Sequence, residues 1–80
     1  MMAPAFHVAQ ETAVWPPPPP LRELLLDADP DERQVADHLA HGELYVARSR
    51  GAAAGAIVIR QTGEDTWEIM NCSVAPEYRR

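Results

Sequence analysis

The side chains best suited to chemistry gather toward the end of the chain. Glu68 is a carboxylate that can take up a proton, Cys72 is a lone thiol, and Arg79 and Arg80 are adjacent permanent cations. Glu68 equally fits a solvent-facing or ion-paired strand position, and Cys72 fits a packing position better than a nucleophilic one. Elsewhere, His38 and His41 stand three apart in a helical segment. No further ligands accompany them, so they are expected as an exposed pair and not as a metal site.

These residues need elements to hold them. Thr66 to Val74 reads as a strand closed by a proline-marked turn at Ala75-Pro76-Glu77-Tyr78. Two more strands precede it. Glu43 to Arg48 and Ala52 to Arg60 are separated by Ser49-Arg50-Gly51, and Gln61 to Asp65 forms the next turn. Short connections make the three an antiparallel meander. Gly55 marks a bulge or a close backbone approach.

Upstream the hydrophobic period is helical. Asp29-Pro30-Asp31-Glu32 predicts an N-cap, a proline at N1 and a glutamate at N3. Val35, Ala36, Leu39 and Ala40 continue an apolar stripe, with Gly42 as the residue after the helix, so a helix is predicted over residues 30–41. Leu21 to Leu26 predicts a shorter helix. Phe6 to Ala9 is a candidate first strand. Between them Pro16 to Pro20 predicts a polyproline rod about 15 Å long. It reads as a stiff linker over residues 15–20, or as a docking segment for a partner domain. The order strand, helix, helix and three strands is α+β.

Composition narrows the function further. Eighty residues suffice for one thin core. A net charge of −5, with arginine supplying all seven basic residues, argues against nucleic acid as a partner. One cysteine excludes an internal disulfide. No segment approaches the roughly 20 apolar residues of a membrane span. Met1-Met2-Ala3-Pro4 opens no secretory signal. The expectation is a cytoplasmic protein without a membrane partner.

Val74-Ala75-Pro76-Glu77-Tyr78-Arg79-Arg80 closely resembles the start of the cofactor-binding signature of the GNAT family of N-acetyltransferases. There an apolar strand ends in Val-x-Pro-x-Tyr-Arg and runs into a glycine-containing loop. The order of elements also resembles the N-terminal half of that domain. The resemblance implies residues 1–80 as the N-terminal part of one GNAT domain, with strands over 42–80 leading into the acetyl-CoA motif. It is an incomplete acyl-CoA N-acyltransferase fold. The co-substrate implied is acetyl-CoA, and the acceptor is a primary amine of a small molecule or protein.

Acetyl transfer needs a neutral amine, a fixed donor for the thioester carbonyl and a cradle for the pyrophosphate. By resemblance, Cys72, Ser73 and Val74 present main-chain groups to the acetyl-pantetheine arm, and Arg79 and Arg80 open the pyrophosphate loop. Glu68 stands where the histone-acetylating branch carries its general base. Tyr78 packs the turn. The loop glycines do not follow Arg80, which implies truncation within the acetyl-CoA site and no activity of the chain by itself. The alternative is a small non-enzymatic α+β module that recruits partners through its prolines.

Overall fold

Alternation decides the sheet. In β2 (Glu43–Ser49) and β3 (Ala52–Gln61) every second side chain is buried, with Leu44 and Val46 meeting Ala54, Ala56 and Val58 on one face. Arg50 and Gly51 join the strands, both at positive φ (54° and 83°), the turn geometry whose twist matches a hairpin. β4 (Trp67–Val74) pairs antiparallel with β3, and β1 (His7–Glu11) with β2, giving the order β1-β2-β3-β4. The computed structural model describes residues 5–79, so expectations placed on Met1 to Pro4 and on Arg80 lie outside the described residues.

Helices α1 (Pro19–Ala28) and α2 (Glu32–His41) cover one face of the sheet. Leu21, Leu25, Val35 and Leu39 close over Leu44, Val46, Ala56 and Val58 to make the core. Full burial of one such leucine contributes about 2–3 kcal/mol. The opposite face carries Val8, Trp67, Ile69 and Val74, which remain between 43% and 64% exposed. Among the described residues no helix is long and apolar enough to cross a membrane.

Three local expectations are corrected. First, α1 starts before Leu21. Pro19 and Pro20 sit in its first turn, where a missing N–H costs nothing, and Pro17 is buried, so the run is not a free five-proline rod. Trp15 is half-buried beside it, with the Arg22 guanidinium 5.9 Å from its ring centroid. Second, Asp31 and not Asp29 caps α2. Its carboxylate accepts from the N–H groups of Arg33 and Gln34 at 3.0 and 3.3 Å, while Asp29 accepts from the Asp31 N–H at 3.0 Å in a turn just upstream. Third, Gly42 is extended (φ −130°) and not left-handed. A Cβ there would lie 2.7 Å from the Ile59 carbonyl oxygen and 2.8 Å from that of His38. Glycine is needed so that the end of α2 can meet β3.

Candidate active site

β4 is the edge strand. It pairs with β3 alone, and no further strand lies beyond it among the described residues. The Ala75 N–H donates to the Ala54 carbonyl at 2.8 Å, in register with Val74 opposite Gly55. Antiparallel ladders alternate, so Asn71 and Ser73 direct their main-chain groups at β3. Those of Cys72 and Val74 point to the open edge. The Val74 carbonyl accordingly accepts from Arg79 Nε at 2.7 Å and not from the sheet.

A bulge breaks this strand. Val58 opposes Asn71 but Ile59 opposes Ile69, which leaves Met70 as an extra residue in β4. Side-chain parity reverses across such an insertion. Cys72 and Val74 point to the bare face, Asn71 and Ser73 to the helix face. Glu68, opposite Arg60, joins the helix face as well, although an unbulged strand would have placed it with Cys72. A second bulge, with Ala54 as the extra residue, lies beside Gly55 in β3 as the sequence suggested.

The expected site residues are therefore distributed unequally. Cys72 and Val74 share the open edge. Ser73 does not: its main chain faces β3, and its hydroxyl is buried without a hydrogen-bond partner. Glu68 is exposed, three residues before Asn71. Beyond β4, a 3₁₀ turn over Pro76–Tyr78 delivers Arg79. Its guanidinium pairs with Asp27 of α1 as well as bonding Val74, which ties the turn to the helix layer. Tyr78 packs as expected, edge-on to Phe6 with centroids 5.3 Å apart.

Two cavities open on the helix side. The larger, about 600 Å³, lies between α1, the β2–β3 turn and Ala75 to Tyr78. Arg48 lines it and is held bidentate by Glu11 at 2.6 and 2.8 Å. These hydrogen bonds hold the Glu11 carboxyl below its usual range and raise Arg48. The smaller cavity, about 310 Å³, lies between α2 and the bulge in β4. Its wall includes Asp29, Gln34, His38, Met70, Asn71 and Cys72.

His38 corrects another expectation. It is not an exposed partner of His41 but 8% exposed, and its Nδ1 is closed off without a partner. His41 does face solvent, against Asp37. Sequence reasoning missed His38 and left Asn71 without a role. A signal existed for the former: Val35, His38 and Leu39 continue one buried stripe at helical spacing. Asn71 gave none, because its burial follows from its pairing with Val58 on the helix-facing side of the sheet. Its Nδ2 donates to the Leu25 carbonyl at 3.1 Å and straps the end of α1 to β4.

This arrangement of helices and sheet has known counterparts. Residues 6–80 match the Acetyltransferase (GNAT) family. The chain belongs to the GNAT acetyltransferase family. Among solved structures it resembles an IAA acetyltransferase from Bacillus cereus, with a TM-score of 0.77 and 36% identity over 91% of this chain and 46% of that one. It also resembles a GNAT family acetyltransferase from Elizabethkingia anophelis with acetyl-CoA bound, with a TM-score of 0.79 and 32% identity over 92% of this chain and 46% of that one. The chain thus spans about half the length of these GNAT structures. No curated protein matches it.

Proposed function

We propose that this GNAT chain forms the acetyl-CoA-facing half of an N-acetyltransferase acting on a primary amine. The observation that carries the reading is the open edge of β4. There Cys72 offers a main-chain donor and acceptor, and Val74 an N–H, that no strand takes up among the described residues, beside a bulge, and the turn that delivers Arg79 follows directly. The pantetheine arm of acetyl-CoA is itself a chain of amides, so a free strand edge fits it as another strand would.

Acetyl-CoA would supply an acetyl group activated as a thioester. The chain supplies the rest. Val74 offers its main chain to the arm once Arg79 releases its carbonyl. The Cys72 N–H is a fixed donor for a carbonyl oxygen that gains negative charge, a contribution of about 3–4 kcal/mol in preorganised acyl-transfer sites. Ser73 holds the strand in register with β3. Arg79, at the end of the turn, adds positive charge on the side where a pyrophosphate would lie. Glu68, turned to the helix face by the bulge, serves as general base through solvent, worth about 10²- to 10⁴-fold.

Calorimetry with acetyl-CoA on the full-length protein tests this reading. Saturable binding with one site is expected. A Cys72→Pro variant, which deletes the edge donor, should weaken it, and absence of binding to the unaltered protein overturns the proposal.

A further inference from the structure

Arg79 stands on the group that the acetyl-CoA reading needs for its ligand. Val74 lies opposite Gly55, and the Ala75 N–H bonds the Ala54 carbonyl at 2.8 Å, so the Val74 carbonyl points away from β3. Arg79 Nε donates to that carbonyl at 2.7 Å. Nη2 of the same guanidinium donates to the Asp27 carboxylate and forms an ion pair with it. The turn over Pro76–Tyr78 folds the chain back for these contacts. It is closed by the Tyr78 N–H on the Ala75 carbonyl at 2.9 Å and the Arg79 N–H on that of Pro76 at 3.2 Å. Asp27 has no local reason to be acidic. It stands in the last turn of α1, where the carbonyl end of the helix disfavours a negative charge, and no basic residue shares that turn. Its cation comes instead from 52 residues further along the chain.

We infer that Arg79 is a latch on the open edge of β4: Asp27 holds its guanidinium over the Val74 carbonyl until Arg79 leaves both for the diphosphate of acetyl-CoA. Its departure frees the carbonyl for an amide N–H of the pantetheine arm. The inference rests on the N-acetyltransferase reading, and it deepens that reading by naming what closes this end of the cofactor site before the cofactor binds.

Chemistry and exposure both suit a switch. A guanidinium is a planar fork that fits carboxylate and phosphate oxygens alike, so it can exchange one for the other. A diphosphate carries more negative charge than one carboxylate, and that difference between the two partners is what moves the equilibrium. Side-chain exposures of 46% for Arg79 and 54% for Asp27 keep the hold shallow, because solvent screens the pair. The fraction of molecules held closed weakens the apparent affinity for the cofactor. Asp27 thus competes with the diphosphate for one cation. A residue that positioned Arg79 for the diphosphate would act in the opposite sense, so the sign of the effect at Asp27 separates the two roles.

The test uses the full-length protein. NMR of the arginine side chains reads the latch with no ligand present. The Arg79 Nε–H proton is expected to exchange slowly with water, and Asp27→Asn to speed that exchange. A proton that exchanges as freely as that of a solvated arginine overturns the inference. Calorimetry then compares acetyl-CoA with S-acetylpantetheine, which carries the arm but no diphosphate. Asp27→Asn should tighten acetyl-CoA about 2- to 5-fold. Arg79→Met, which keeps the stem and removes the donors, should act with opposite signs on the two ligands. S-Acetylpantetheine should bind about 2- to 10-fold tighter, the carbonyl being uncovered, and acetyl-CoA about 5- to 50-fold weaker, the diphosphate having lost a cation. Weaker acetyl-CoA binding by Asp27→Asn, or S-acetylpantetheine binding indifferent to Arg79→Met, overturns the latch. Failure of the unaltered protein to bind acetyl-CoA would instead sink the enzyme reading, while the exchange rate still decides whether Asp27 holds Arg79 on Val74.

Discussion

β3 and β4 are neighbours in one sheet and are built to opposite rules. The helix-facing side of β3 is Ala54, Ala56 and Val58, all buried and apolar. The same side of β4 is Asn71 and Ser73, equally buried but polar, and a bulge interrupts the strand between Asn71 and Ile69. β3 is laddered on both sides; among the described residues β4 is laddered on one. The difference teaches where this GNAT chain keeps its stability and where it spends it. Continuous apolar contact holds the centre, whereas the edge carries unpaired hydrogen-bonding capacity that only a ligand or another part of a protein can use.

That contrast can be broken at the core first. Leu25 is fully buried under the sheet, so Leu25→Ala should cost about 2–5 kcal/mol, read as a lower urea midpoint at constant m-value. A cost under about 1 kcal/mol would mean that the core is looser than its burial implies. Gly42→Ala comes next. The added methyl meets two carbonyl oxygens inside 3 Å, and the loss should be roughly 1–3 kcal/mol by thermal unfolding. If alanine were neutral there, the close seating of α2 on β3 would be wrong.

On β4 the sign should reverse. Ser73→Ala removes a buried hydroxyl that has no partner, and a gain of about 1 kcal/mol is expected. A loss of similar size would show that the hydroxyl is satisfied in solution, which would weaken the contrast between the strands. The smallest effect belongs to the far edge, where Glu11 of β1 grips Arg48. Glu11→Gln should cost about 0.5–1 kcal/mol near neutrality, the side chains being roughly a third exposed and screened. The folded-state pKa of Glu11 is depressed. Its contribution is therefore fully present above the ordinary carboxyl value of about 4.5 and fades as pH falls through the lowered one. Stability curves of the two proteins should separate above that range and converge in acid; parallel curves would remove the ion pair from the account.

Much of the fold was legible in the residues, for reasons that are local. Leu44, Val46 and Val58 alternate, Arg50-Gly51 can adopt positive φ, and Val35 with Leu39 marks the buried side of α2. The signature from Val74 to Arg79 pointed to the family that residues 6–80 match. What local pattern could not settle were choices between near-equal options. Asp29 and Asp31 both suit a cap, and packing gave it to Asp31. Pro19 and Pro20 suit a rod or a first helical turn, and the leucines that follow drew them into α1.

The sequence by itself therefore determined which segments are strands and helices, and that a strand ends in a turn rich in positive charge, because these follow from side-chain period and backbone preference within a few residues. Tertiary structure alone decided the faces. An extra residue at Met70 turned Glu68 toward the helices, while the pairing of Asn71 with Val58 buried Asn71 against the end of α1 and left the main chains of Cys72 and Val74 on the open edge. Helix docking placed His38 on a cavity wall and not in water. Face and partner depend on register between segments far apart in the chain, and a one-residue slip in register reverses every side chain beyond it.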